Sequence, residues 1–175
     1  EKGAHIHYDV RSSWAVNEDI TRWGGTPVRE RVGHAFVKET MRRLIVPFGG
    51  ELSGHYYFRD NYFADCGLIA FIQITNLLSK EDKPFSEIMN PLKKYYSSGE
   101  LNFTVADKDK KLAEITRKFK DGKQDLLDGI TVEYPNWWFN VRKSNTEPLL
   151  RLNLEARTAQ LLDESKKKII SVIQD

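Results

Sequence analysis

A chain of 175 residues with 40% hydrophobic and 30% charged side chains is globular, long enough for one large domain or two small ones, and not a disordered tail. Its 27 Lys and Arg against 25 Asp and Glu leave a formal net charge of +2, too balanced for a nucleic-acid binder. No apolar run approaches the roughly 20 residues needed to span a bilayer, and the opening Glu-Lys-Gly-Ala is not a signal peptide, so no membrane partner is expected.

The single cysteine, Cys66, rules out an intrachain disulfide and fits a reducing compartment, so a cytoplasmic location is expected. The chain has no initiator Met and enters a strand almost at once, which reads as a piece cut from a longer protein.

His5 to Val10 predicts a strand, with Ile6, Tyr8 and Val10 at alternate positions. Ser12 and Ser13 are helix caps, Val16, Ile20 and Trp23 recur at helical spacing, and Gly24-Gly25 stops that helix. Pro27 to Arg31 is a short strand. Gly33 to Leu44 is a helix with Val37, Met41 and Leu44 on one face. A third strand is expected at Val46 to Gly50, and Tyr56 to Phe58 reads as a further one, an antiparallel edge. Asp65 to Leu78 and Phe85 to Tyr96 complete the pattern as helices. Strands alternating with helices predict a three-layer α/β/α domain with a mainly parallel sheet.

The texture changes near Ser97-Ser98-Gly99. Asn102 to Val105 reads as a strand and Lys108 to Phe119 as a helix. Leu126 to Tyr134, Trp137 to Arg142 and Leu149 to Ala156 read as three strands. In the last, Leu150, Leu152 and Leu154 alternate with Arg151, Asn153 and Glu155, which predicts one buried face and one wet face. Thr158 to Ile173 closes the chain as an amphipathic helix, its Lys166-Lys167-Lys168 run on the solvated side. The order β-α-β-β-β-α predicts an α+β domain with an antiparallel sheet and its helices on one face. A boundary is expected at Ser98, giving domains 1–98 and 99–175.

Four segments carry candidate chemistry. Arg142-Lys143-Ser144-Asn145-Thr146-Glu147-Pro148 lies between two predicted strands. Arg142 offers a fork for two phosphate oxygens, Ser144 and Thr146 offer hydroxyls, and turn N–H groups around Asn145 can converge on an anion. The alternative is a polar hairpin tip. In Gly49-Gly50-Glu51-Leu52-Ser53-Gly54-His55, a carboxylate, a hydroxyl and an imidazole on a glycine-rich turn suit a polyhydroxylated ligand, and a purely structural turn is the alternative. His34 opens a helix, where the dipole favours anions and lowers an imidazole pKa, or it is a polar cap residue. Lys38, one turn on, either shares that direction or is a solvated lysine. Arg11 in Asp9-Val10-Arg11-Ser12-Ser13 follows the first strand, at the end where parallel sheets bind ligands, and is either a phosphate contact or a surface Arg beside a cap.

Together DVRSS, GGTPV, RVGHAFVKETMR, GGELSGHYYF and RKSNTEPLLRLNLEA stand in the order and spacing of the α-D-phosphohexomutase family. From first residue to last the chain resembles domains 3 and 4 of phosphomannomutase/phosphoglucomutase, and GELSGH is closer to the mannose/glucose enzymes than to the glucosamine branch. The resemblance implies an isomerase, an intramolecular phosphotransferase, that interconverts 1-phospho and 6-phospho hexoses through a bisphosphorylated sugar and an enzyme phosphoserine. It implies that Glu51, Leu52, Ser53, Gly54 and His55 bind the sugar and that Arg142, Lys143, Ser144, Asn145 and Thr146 bind the distal phosphate. It also implies that His34 and Arg11 support acid–base or electrostatic work near the reacting oxygen.

Arg11 stands where some members have Lys, which favours an electrostatic role because guanidinium stays protonated. Cys66 stands where members often have a second Asp, and it reads as a helix-entry residue. The family's phosphoserine loop and DGDGDR-type Mg²⁺ loop are missing from this sequence, and Asp107, Asp109 and Asp121 fall at helix ends as caps. The chain is therefore expected to hold no metal of its own. Its partners are a mannose or glucose 1- or 6-phosphate and the missing N-terminal domains 1 and 2, with Mg²⁺ bound there, and it is expected to be inactive alone. The rival readings are a phosphoglucosamine mutase fragment and a non-catalytic sugar-phosphate binding module.

Overall fold

The alternating strand HIHYD becomes β1 (His5–Asp9) and the chain then caps a helix on Ser13, whose side chain accepts the Ala15 N–H at 3.1 Å. In the computed structural model, which describes residues 2–175, this helix is α1 (Trp14–Arg22), followed by β2 (Thr26–Glu30), α2 (His34–Leu44) and β3 (Phe48–Gly50). Next come β4 (Tyr56–Phe58), β5 (Ala64–Asp65), α3 (Gly67–Leu78) and the short α4 (Phe85–Met89). The chain divides into two units between Lys94 and Tyr95.

The first unit carries one sheet in the order β2-β1-β3-β4-β5. β1 pairs in parallel with both β2 and β3, whereas β4 and β5 are antiparallel, so the sheet is mixed. Tyr8 faces α1, where Asn17 Nδ2 donates to its hydroxyl at 2.9 Å. The neighbouring position His7 lies on the opposite face, in line with Gly49 and Tyr57. There Val37 and Met41 of α2 pack with Val46 and Tyr57 into a small core. Helices on both faces make the expected three layers.

Three expectations change in detail. Trp23 lies past the end of α1 and is 78% exposed, so it is no core residue. The predicted helix from Phe85 to Tyr96 stops at Met89, because Pro91 lacks an amide hydrogen and only one 3₁₀ turn (Asn90–Leu92) follows. Asp65 belongs to β5 rather than to α3, which Cys66 precedes as its N-cap.

The second unit contains β6 (Tyr96–Thr104), α5 (Lys108–Lys118), β7 (Lys123–Asp125), β8 (Ile130–Glu133), β9 (Trp137–Lys143), β10 (Leu149–Ala156) and α6 (Ala159–Gln174). Its sheet runs β6-β10-β9-β8-β7 and every pair is antiparallel. Leu150, Leu152 and Leu154 meet Ile115 and Phe119 of the α5 side and Ile169, Val172 and Ile173 of α6 in one core. The predicted strand Leu126 to Tyr134 shortens to β8, because residues 126–129 form the turn that joins β7 to β8, where Leu126 is 67% exposed.

The second face of β10 is polar, but it is not wet. Asn153 and Glu155 are buried. Glu155 lies opposite Trp138 and accepts its indole N–H at 3.0 Å, and Asn153 lies opposite Asn140. Alternation identified the two faces correctly; pairing across the strands removed the solvent from the polar one.

Candidate functional site

The predicted site residues fall into two groups, one in each unit. In the first unit the organising residue is Asp9, fully buried at the carboxyl end of β1. Its Oδ1 accepts the Arg11 backbone N–H at 2.7 Å, and its Oδ2 accepts Arg11 Nη2 at 2.6 Å and Nε at 3.2 Å. Arg11 is thereby a buried side chain gripped by its own strand end, not a free surface cation. The same Oδ2 also accepts the Leu52 N–H at 3.0 Å, which ties the glycine-rich loop to the end of β1.

Glu51 is buried as well. Its Oε2 accepts the Tyr57 hydroxyl at 2.6 Å, its Oε1 accepts the Gly33 N–H at 3.3 Å, and Arg11 Nη2 lies 4.0 Å from Oε1. Burial, and then the Glu51 carboxylate, push the Tyr57 phenol far above its ordinary range, so it stays a proton donor. The loop closes on itself through Glu51 N–H to His55 O at 3.0 Å and Gly54 N–H to Glu51 O at 2.9 Å. Leu52, Ser53 and Gly54 are exposed at its tip. The outward polar groups of the loop are therefore Ser53 and His55, joined by a 2.9 Å Oγ–Nδ1 hydrogen bond, with the Glu51 carboxylate behind them.

His34, the first residue of α2, comes to the same place. Its ring lies 4.6 Å from that of His55 and 5.6 Å from that of Tyr57, both edge-on. Its Nδ1 is 3.2 Å from Asp65 Oδ1, and Lys38 Nζ is 3.5 Å from the same oxygen. Partial burial raises the Asp65 pKa, but its backbone hydrogen bond, His34 and Lys38 together hold the carboxyl below the usual range. Arg11, His34, Glu51 and His55 are thus drawn together by three separate elements. Asp9, Tyr57 and Asp65 complete the cluster. Neither Asp9 nor Asp65 was an expected site residue; an acid closing a strand two positions before Arg was the available signal for Asp9.

In the second unit Arg142 is the penultimate residue of β9 and is buried. Its Nη1 donates to the Lys143 carbonyl at 3.3 Å, and its Nη2 is 3.8 Å from Glu100 Oε2 on β6. Arg151 on β10 donates to Glu100 Oε1 at 2.8 Å and to Glu147 Oε2 at 2.5 Å. Glu100 therefore faces two guanidinium groups. Lys143 pairs with Asp109. Beyond Arg142 the chain bends through Ser144, whose Oγ accepts the N–H groups of Thr146 at 3.4 Å and Glu147 at 3.2 Å. Asn145 and Thr146 are exposed at the tip. The turn gathers backbone N–H groups, as expected, but they converge on the Ser144 hydroxyl. Glu100 and Arg151 had no local motif to reveal them, because their connection to Arg142 runs across strands.

Asp107 and Asp121 make structural hydrogen bonds. Asp107 caps α5 by accepting the Lys110 N–H at 3.0 Å, and Asp121 accepts the Tyr134 hydroxyl at 2.9 Å. Among the described residues, the group of His, Cys, Asp and Glu with converging ligand atoms is His34, His55 and Asp65. Two imidazoles do not suit Mg²⁺, which takes oxygen ligands in near-octahedral geometry.

The fold is thus an α/β/α unit followed by an antiparallel α+β unit, with one polar loop cluster in each. The chain belongs to the phosphoglucomutase/phosphomannomutase family: residues 1–95 match its alpha/beta/alpha domain III and residues 100–172 match its C-terminal domain. It is 42% identical over 173 residues to a phosphomannomutase of Methanocaldococcus jannaschii, covering 99% of this chain and 38% of that protein. It is 35% identical over 178 residues to a phosphomannomutase of Escherichia coli, covering 99% of this chain and 39% of that protein. The chain thus spans well under half the length of these relatives. A crystal structure of a phosphoglucomutase/phosphomannomutase family protein from Burkholderia thailandensis superposes with a TM-score of 0.86 at 30% identity, covering 99% of this chain and 38% of that one. An N-acetylphosphoglucosamine mutase from Aspergillus fumigatus, solved with GlcNAc-6P and magnesium, shares the fold alone at 11% identity, with a TM-score of 0.68 and coverage of 98% of this chain and 38% of that one. Among the described residues no helix is long and apolar enough to cross a membrane.

Proposed function

We propose that this chain supplies sugar and distal-phosphate recognition to a phosphohexomutase that interconverts the 1- and 6-phosphates of mannose and glucose. The observation that carries this reading is the Glu51 to His55 loop. It is anchored from beneath by Asp9, Tyr57 and the N–H of Gly33, and it presents Ser53 and His55 outward. A loop fixed by buried partners holds its polar groups at set positions before a ligand arrives, so little ordering is left to be done on binding. Ser53 and His55 take sugar hydroxyls in this reading, with Glu51 accepting from behind. Arg142, with the turn at Lys143 to Thr146, grips the phosphate that is not reacting, and that grip positions the distant end of the sugar. Arg11 is held as a cation by Asp9 and stabilises charge near the reacting oxygen, while His34 is the group there able to move a proton.

The phosphoserine and the Mg²⁺ loop lie outside this chain in this reading, and they supply phosphoryl transfer and charge neutralisation. The relatives' name, phosphomannomutase, and the family's description as phosphoglucomutase/phosphomannomutase favour mannose and glucose phosphates over glucosamine phosphates as substrates. Calorimetric titration with mannose 6-phosphate tests the assignment. Ser53→Ala and His55→Ala are expected to weaken binding by about tenfold each, the loss of one hydrogen bond to a fixed partner. Affinity unchanged in both variants contradicts it. The purified chain is expected to show no mutase turnover, and metal-dependent turnover would contradict that part.

A further inference from the structure

We infer that His34, His55 and Asp65 form a binding site for one divalent transition-metal ion of the Zn²⁺ type. One ligand atom from each residue lies within 4.8 Å of the others, and His34 Nδ1 already stands 3.2 Å from Asp65 Oδ1. Tetrahedral Zn²⁺ holds imidazole and carboxylate atoms at about 2.0–2.2 Å, which puts neighbouring ligand atoms roughly 3.3 Å apart. Small side-chain rotations close the remaining distance. The three residues come from the start of α2, the loop before β4, and β5, so the folded unit and not one local motif brings them together.

The donor set decides the class of ion. Two imidazoles and a carboxylate suit Zn²⁺, Cu²⁺ or Ni²⁺ and give no advantage to Mg²⁺ or Ca²⁺. Three protein ligands leave an open coordination position, and the side chains are 47%, 44% and 26% exposed, so solvent reaches the site and completes it. One imidazole nitrogen of His55 is held by the Ser53 hydroxyl at 2.9 Å, with Glu51 Oε2 at 3.9 Å from the same atom. Such outer hydrogen bonds fix the tautomer and orientation of a ligating ring. Lys38 acts against the ion: its ammonium lies 3.5 Å from Asp65 Oδ1 and competes for that oxygen. The inference does not rest on the sugar-phosphate reading, although an ion here would compete with any ligand of His55.

The test uses the 175-residue chain, with ZnCl₂ in calorimetry and Co²⁺ as a visible-absorbing substitute. One Zn²⁺ per chain is expected. The affinity should fall by about tenfold or more in His34→Ala, His55→Ala and Asp65→Asn, each checked for a dispersed amide spectrum. Lys38→Met should bind Zn²⁺ more tightly than the parent chain, a gain that no loss of folding can imitate. MgCl₂ at the same concentration should give no binding heat. Zn²⁺ affinity unchanged in all three ligand variants would place the ion elsewhere and overturn the inference. So would weaker binding in Lys38→Met, or the absence of Zn²⁺ binding at millimolar concentration.

Discussion

Asp9 Oδ2 accepts the backbone N–H of Leu52 at 3.0 Å across 43 positions of sequence, while the same oxygen holds the Arg11 guanidinium at 2.6 Å. One buried carboxylate therefore fixes both a cation and the loop beside it. The loop's geometry depends on a residue that no ligand need touch.

Asp9→Asn keeps the shape of this junction and removes its charge. Arg11 is only 7% exposed, so loss of the nearest anion leaves a guanidinium in a dry setting. Removing one member of a buried pair costs about 3 kcal/mol or more. Urea unfolding followed at the backbone amides of α2 should show that loss, while the amides of α6 in the second unit keep their midpoint. An unchanged midpoint at α2 would mean that Asp9 does not hold the first unit together.

His7 makes the first unit sensitive to mild acid. It is 1% exposed, and among the described residues neither ring nitrogen has a hydrogen-bond partner. Burial pulls its pKa below the ordinary 6.5, against opposing contributions from Glu30, Glu51 and Asp9. The unfolded chain therefore takes up a proton near pH 6.5 that the folded one refuses. Stability is full above that pH and declines as pH falls below it, by up to about 1.4 kcal/mol per pH unit for one proton. Between pH 6.5 and 5.5, His7→Leu should remove this part of the slope. Parallel stability curves for parent and variant would contradict the account.

Gly129 precedes β8 where the chain runs hard against β9. Its φ is +68°, and an added Cβ would lie 2.2 Å from the Val141 carbonyl oxygen and 2.6 Å from Arg142 Cα. Gly99 has a similar φ of +66° but open space around it. Gly99→Ala should therefore cost only the left-handed backbone penalty of about 1 kcal/mol. Gly129→Ala should cost clearly more and should disturb the amides of Val141 and Arg142. Equal losses in thermal unfolding of the two variants would show that the close approach is unimportant.

Much of this structure was legible because local pattern and tertiary role agree. The i, i+4 spacing of Val37 and Met41 marks the buried face of α2, and Leu150, Leu152 and Leu154 mark the core side of β10. Errors arose where one residue overrode a pattern. Pro91 ended the predicted helix, and a turn over residues 126–129 replaced the start of the predicted strand. In the candidate site, the motif residues themselves were legible. Their partners were not: Asp9 reaches Leu52, Asp65 reaches His34, and Glu100 faces Arg142 only because separate strands and loops bring them together. The burial of Arg142 and Glu51, both expected as ligand contacts, likewise follows from tertiary packing.

In the proposed reading the Glu51 to His55 loop takes sugar hydroxyls and the Arg142 to Thr146 turn takes a phosphate. Amide spectra of the chain titrated with mannose 6-phosphate, glucose 1-phosphate and inorganic phosphate test it most directly. The sugar phosphates should shift both Glu51 to His55 and Arg142 to Thr146, whereas inorganic phosphate should shift only the second set. Shifts by the sugar phosphates that leave both sets unmoved would contradict the account.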